Sequence, residues 1–265
     1  MVALLVSTTA VTATFAAQTN GHTTPPAPLL FADAAVAPLS RELAAQKLTA
    51  DADFTAWAAS HPSNDEAAFT SFALNRLPPP PGPNVQAAEL SDLRTLAATR
   101  TKEGMRAADW LEAYGKTAIW QQYVHDALET ASPARAAHVE NSFMADLKIA
   151  ERLAQITEAH FARRSPSAVE PSLRRHARPA KLSYPSAHAV FVYTELQILT
   201  TLDPGRAADF TRMANQVSYS RLYAAGHYRS DLIAGAYLGD LLGDYAIRAL
   251  NSPQPPPEPG SATDN

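Results

Sequence analysis

Two short segments of this chain carry side chains that suit phosphoryl chemistry. The segment Tyr184–His188 holds a serine hydroxyl and an imidazole directly before an apolar stretch. The segment Ser220–Asp231 adds Arg221, His227 and Asp231. Guanidinium groups match the geometry of a phosphate, an imidazole can act as nucleophile or acid–base group, and a carboxylate can orient it. These residue types predict a site that holds a phosphate-like anion and transfers its phosphoryl group.

Local structure is expected to present these side chains at helix ends. Ser186 is a good cap for a helix that begins after it, and the N-terminus of a helix favours an anion, which His188 in the first turn also faces. Gly226 predicts a left-handed residue at the end of the preceding helix, followed by a sharp reversal of the chain. Since Asp231 follows His227 by four residues, we expect Asp231 or a backbone carbonyl to hold the imidazole.

The composition predicts a globular protein and excludes several classes of function. The chain has 265 residues, of which 46% are hydrophobic, with a net charge of -4 and no cysteine. Without cysteine there are no disulfides and no thiolate chemistry. Without a basic excess, nucleic acid is not predicted as a partner. His125, His138 and His160 lack carboxylates at ligand spacing, so no metal site is predicted.

Apolar residues recur at helical spacing over most of the chain, and no alternating stretch of any length is present. We therefore predict one all-α domain, a helical bundle, over residues 39–250. Residues 18–38 are rich in Thr, Pro and Ala and are expected to be a flexible lead-in, and the Pro-rich tail 251–265 is expected to be disordered. Asp240 and Asp244, in the last helix, are expected to be exposed.

Residues 1–17 are apolar and end in small residues, which is typical of a signal peptide and predicts a periplasmic or secreted protein. The positively charged start of a usual signal peptide is missing, because no Lys or Arg precedes Arg41, and the alternative is a disordered or loosely packed N-terminus. No later segment has the roughly 18 uninterrupted apolar residues of a membrane span. Nothing in the sequence predicts the oligomeric state.

The order and spacing of the two segments resemble a known family. The pattern is similar to two of the three motifs of the type-2 phosphatidic acid phosphatase and vanadium haloperoxidase superfamily. Its first part is Pro-Ser-x-His, and its second part, which follows residues 189–219, is Ser-Arg, five residues, His, three residues and Asp. Ser183-Tyr184 before the first motif looks like the soluble bacterial secreted, class A-like acid phosphatases. The resemblance implies the all-α bundle of that superfamily. It also implies a metal-independent phosphomonoester hydrolase that acts on a small phosphorylated substrate.

The resemblance also implies roles for individual residues. His227 would attack phosphorus and form a phosphohistidine, and Asp231 would orient His227. His188 would protonate the leaving alcohol and then activate water, so an acidic working pH is expected. The phosphate oxygens would be held by the remaining matched groups, which are Arg178, Arg221, the Ser186 hydroxyl and the Ala187 amide.

The chain departs from the family pattern at two positions. The third motif is Lys, six residues, then Arg-Pro; Arg178-Pro179 fits its end, but Pro171 stands where the lysine is expected. Nearby cations that could replace this lysine are Arg174, Arg175 and Lys181. Ala187 stands where the family usually has glycine, and it is tolerated unless the site needs a positive φ.

Two alternatives follow from the same resemblance. The first is a vanadate-dependent haloperoxidase, in which vanadate would be the cofactor and His227 its axial ligand. The second is a degenerate member that binds phosphate with little turnover, which the missing lysine at Pro171 keeps open. The phosphatase hypothesis itself implies no cofactor.

Overall fold

The computed structural model describes residues 25–61, 64–174 and 181–252. Within these ranges the predicted all-α fold is confirmed, and the one β-type contact is an isolated bridge between Arg164 and Leu182. Short 3-10 turns lie at Pro171–Leu173 and Pro204–Arg206. The helices are α1 Asp33–Ser60, α2 Glu66–Arg76, α3 Pro83–Ala98, α4 Lys102–Tyr114, α5 Ala118–Ala127, α6 Pro133–Phe161, α7 Pro166–Val169, α8 Ala187–Leu202, α9 Ala207–Tyr223 and α10 Arg229–Asn251.

Helix α8 is the centre of the bundle. Every residue from Ala189 to Leu199 is buried. A helix that is apolar on all sides must be covered on all sides, and α10, α9, α6 and α5 provide this cover. The first turn of this central helix carries His188, so the core of the protein fixes the position of one candidate catalytic side chain.

Helix α10 packs closely on α8 because glycines face it at four-residue intervals. A Cβ added at Gly235 would lie 2.5 Å from the backbone oxygen of Ser186, and one at Gly239 would lie 2.5 Å from that of Val190. Contacts this short are possible only without a side chain. The predicted role of small residues in close helix packing is therefore confirmed, and it brings the N-terminal ends of α8 and α10 together.

The N-terminal lead-in is shorter than predicted. Helix α1 begins at Asp33 and runs through Pro38, so the boundary at residue 39 is wrong. The preceding segment is fixed by Phe31, whose backbone N–H donates to Gln216 Oε1 at 2.8 Å and whose carbonyl accepts from Gln216 Nε2 at 2.9 Å. The ring of Phe31 packs against Tyr219 with 4.9 Å between centroids. These tertiary contacts outweigh the local preference of a Pro-rich stretch. The predicted signal peptide and nearly all of the predicted tail lie outside the described residues.

The expectation that Asp240 is exposed is also wrong. Its carboxyl is fully buried beside Gly239, where α10 meets α8. Gln197 Nε2 donates to Oδ1 at 2.6 Å, and within the described ranges Oδ2 has no hydrogen-bond partner. Burial raises the pKa of Asp240 to about 8 and that of Asp244 to about 6.

Candidate active site

The two sequence motifs meet where α8 and α10 begin. The backbone N–H of Ser186 donates to the carbonyl of Asp231 at 2.9 Å, which joins the first motif directly to the second. Ser186 is buried and its hydroxyl accepts from the N–H of Ala189 at 3.4 Å, so the predicted helix cap is confirmed. Ala187 is the first residue of α8 and has no positive φ. Its alanine side chain is therefore unstrained.

The chain reverses between α9 and α10 through a Schellman motif. The N–H of Gly226 donates to the carbonyl of Arg221 at 3.1 Å, and that of Ala225 donates to Leu222 at 2.9 Å. The left-handed residue is Ala225, with φ 54°. The sequence assigned this conformation to Gly226, one residue too late. The reversal itself is as predicted, and it delivers His227 to the start of α10.

His227 is held by a backbone carbonyl. Its Nδ1 lies 2.9 Å from the oxygen of Ser183 and 3.8 Å from Oδ2 of Asp231. A carbonyl oxygen only accepts, so Nδ1 carries the proton and the neutral ring keeps the lone pair on Nε2. Of the two anchors predicted for His227, the structure selects the carbonyl for hydrogen bonding and leaves Asp231 as a nearby charge.

Asp231 is fully buried and saturated with other donors. Its Oδ1 accepts from Arg163 at 2.6 Å, and its Oδ2 accepts from the backbone N–H of Tyr228 at 2.8 Å. The Arg163 guanidinium also donates to Glu89 at 3.0 Å and to Ser230 at 2.8 Å. Its side chain is only 4% exposed and lies 3.9 Å from the centroid of the Tyr228 ring. Asp231 is thus part of a buried ionic network that fixes the first turn of α10.

Arg221 and His188 form the second half of the arrangement. Arg221 Nη1 donates to His188 Nε2 at 3.2 Å. The guanidinium also forms an ion pair with Glu112 of α4, whose carboxylate is 44% exposed. Burial, followed by the positive charge of Arg221 and smaller effects of His227 and Lys116, holds the pKa of His188 well below its usual range. In the free protein His188 is therefore neutral and accepts a hydrogen bond from Arg221.

The stretch of chain that holds both motifs is similar to a known protein family. Residues 147–251 match the family model described as the PAP2 superfamily. The resemblance inferred from the two motifs is confirmed at that level, and the family supports the predicted phosphatase class of enzyme. The finer likeness to secreted acid phosphatases stays a prediction.

Two other comparisons were made for the whole chain. No curated protein sequence matches it. Among solved structures it is similar to the first transmembrane PAP2-type phosphatidylglycerolphosphate phosphatase from Bacillus subtilis, with 14% identity and a TM-score of 0.49. The alignment covers 69% of this chain and 93% of that one. Within the described part of the present chain, no helix has the length and apolar character needed to cross a membrane.

Of the cations predicted around the third motif, only Arg174 and Lys181 lie within the described residues. Arg175 and Arg178 lie outside the described residues. Arg174 is exposed and donates to the backbone oxygen of Ser167 at 3.2 Å. Lys181 is exposed, and its backbone carbonyl accepts from Ser165 at 3.0 Å. Neither of these two side chains contacts the histidines or Arg221 within the described ranges.

Several charged groups that surround the site were not predicted from the sequence. Arg163 and Glu89 hold Asp231, and Glu112 pairs with Arg221. Glu158 of α6 also faces the site: burial raises its pKa, while the nearby His227 and Lys116 act to lower it. These residues are far from the motifs in sequence.

Proposed function

We propose that this chain is a metal-independent phosphomonoester hydrolase that works through a phosphohistidine on His227. The observation that carries the proposal is the hydrogen bond between His227 Nδ1 and the carbonyl of Ser183. It leaves the lone pair of Nε2 available for in-line attack on phosphorus. The same imidazole lies near Asp231, whose negative charge favours the positive charge that develops on His227 during attack.

In the first step Nε2 of His227 forms a bond to phosphorus and the bond to the leaving oxygen breaks. The departing alkoxide takes a proton from His188. In the second step His188 removes a proton from water, the water oxygen attacks phosphorus, and the phosphorus–nitrogen bond breaks to release inorganic phosphate. One histidine thus serves as acid and then as base.

Arg221 links anion binding to the protonation of His188. In the free protein one N–H of its guanidinium is used on His188 Nε2. A bound phosphoryl group competes for that donor and offsets its positive charge. Both effects favour a proton on His188, which is the form needed to protonate the leaving group. Arg178, the Ser186 hydroxyl and the Ala187 amide are proposed as further ligands of the phosphate oxygens.

The test is hydrolysis of p-nitrophenyl phosphate in the presence of EDTA by wild type and by two single variants. His227→Ala should abolish turnover, and His125→Ala, which changes an exposed histidine on α5, should leave it unchanged. Rapid quench of the wild type in alkali should give a base-stable, acid-labile phosphoryl label on the peptide that contains His227. Turnover by His227→Ala at the wild-type rate would exclude the proposed nucleophile.

The same preparation separates the alternatives. Halide oxidation with vanadate and peroxide, together with no phosphate release, would replace the proposal by a haloperoxidase. Phosphate binding without either reaction would indicate a degenerate member. We also propose export to the periplasm or medium through residues 1–17, which cell fractionation with N-terminal sequencing of the mature protein tests directly.

A further inference from the structure

The turn between α4 and α5 lies against the helix that carries Arg221. The N–H of Gly115 donates to Leu111 at 3.0 Å, and its carbonyl accepts from the indole of Trp120 at 2.8 Å. A Cβ added at Gly115 would lie 2.8 Å from Val217, one helical turn before Arg221. The turn is therefore fixed in place, and the next residue, Lys116, begins from a defined position beside the site.

The side chain of Lys116 extends over α8. Its Nζ lies 4.1 Å from the ring centroid of Phe191, which is 5% exposed and one turn after His188 on the same helix. Lys116 is half-buried. Within the described ranges its ammonium has no hydrogen bond and no ion pair. A half-buried ammonium group without an anionic partner is uncommon, because desolvation of a charge must be offset by a partner.

The nearby carboxyl groups do not neutralise this ammonium. Glu195, two turns after His188, is fully buried, and neither of its carboxyl oxygens has a hydrogen-bond partner among the described residues. Burial raises the pKa of Glu195 well above its usual range, so the group is a neutral acid. Glu158 lies close enough to Lys116 for the lysine charge to lower its pKa, but the two form no ion pair.

Lys116 thus supplies an unpaired positive charge close to His188, in a chain that lacks the motif lysine. Pro171 occupies that sequence position and carries no charge. Glu112, one turn before Lys116, already contacts Arg221, so this end of α4 and the following turn reach the anion-binding residues.

We propose that Lys116 donates a hydrogen bond from its ammonium group to an oxygen of the bound phosphoryl group and replaces the missing motif lysine. The inference rests on the proposed phosphatase function and names a residue for the same site. A cation from a different part of the chain would then join Arg221 in holding the phosphoryl oxygens.

The test compares Lys116→Met with Lys148→Met, which removes an exposed lysine on α6. Two quantities are measured for the intact chain: KM for p-nitrophenyl phosphate, and the dissociation constant of inorganic phosphate by calorimetry. A hydrogen bond to a charged group predicts a loss of roughly tenfold or more in both quantities for Lys116→Met. No change is expected for Lys148→Met. Lys116→Arg should restore most of the affinity, because the guanidinium keeps the charge.

The outcomes separate this inference from the proposed function. If wild type hydrolyses the ester and Lys116→Met matches it in KM and in phosphate affinity, the lysine assignment is wrong and the phosphatase stands. If wild type binds phosphate without turnover and Lys116→Met loses that binding, the lysine assignment holds and the phosphatase proposal fails. If wild type neither binds phosphate nor turns over, both are overturned. Equal unfolding midpoints for the two Met variants would exclude loss of folding as the cause.

Discussion

Replacing Arg163, just after α6, by methionine should destabilise the protein far more than replacing the exposed Arg152 on α6. Arg163 is the shared partner of two buried carboxylates, Asp231 at 2.6 Å and Glu89 at 3.0 Å. Removing one side of a buried ion pair costs about 3–5 kcal/mol, because the remaining charge stays buried without compensation. For a domain of this size that loss corresponds to a fall of roughly 6–20 °C in Tm.

The assay is urea unfolding followed by circular dichroism, with the slope m compared among variants to confirm that the transition is the same. The matched control is Arg152→Met on α6, whose ion pair with Glu66 has both side chains about half exposed. An exposed pair contributes about 0–1 kcal/mol, so this control should stay close to wild type. If Arg163→Met unfolds too readily to purify, Arg163→Lys keeps the charge but loses the fork of donors, and should lie between the two. Equal free energies of unfolding for Arg163→Met and Arg152→Met would refute this account of the network.

Four further predictions concern the site and the helix pair. Glu112→Gln removes the competitor for Arg221 and should tighten inorganic phosphate binding by about two- to fivefold; an unchanged inhibition constant would contradict this. The ring of His188 should titrate well below pH 6.5 by NMR in the free protein and at higher pH with phosphate bound, and a free-protein value of 6.5 or above would be inconsistent with its burial. Gly235→Ala should cost about 1–3 kcal/mol and lower kcat, since the added methyl group forces α10 away from α8; wild-type unfolding would argue against the close contact. Because the folded-state pKa of Asp240 is about 8, its contribution to the free energy of unfolding falls as pH rises from 4 to 8. Asp240→Asn should remove this dependence when urea unfolding is measured at pH 5 and pH 8. Identical pH dependence in wild type and Asp240→Asn would show that this carboxyl is not the cause.

The parts of the site that could be predicted are those whose geometry is local. A capping serine, a histidine in the first turn, and a histidine four residues before an aspartate fix positions within one or two helical turns. The structure accordingly places His188 beside Arg221, and His227 near Asp231. The spacing was informative because each motif lies on one helix end, where few backbone conformations are possible.

The parts that could not be predicted depend on contacts between residues far apart in the chain. Glu89 lies on α3 and Arg163 follows the end of α6, and they meet only because α3 packs near the start of α10. Nothing in the spacing of either residue indicates this. The left-handed residue was misplaced for a related reason: glycine is the usual choice, but the Schellman hydrogen bonds here hold Ala225 in that conformation. Asp240 is buried because the glycines of α10 bring this helix close to α8. The small residues in the sequence predicted close helix packing, but they did not show which side chains would be covered by it.

The glycine contacts between α8 and α10 have a consequence for engineering the protein. Gly235 and Gly239 leave no room for a larger side chain, so the helix pair that carries both histidines tolerates little change. Glu112 and Lys116, in contrast, lie at the end of α4 and in the turn after it, and their side chains are at least partly exposed to solvent. Mutant libraries that aim at new substrates are best directed to this end of α4, where the charge beside the reacting phosphorus can be varied without moving the nucleophile.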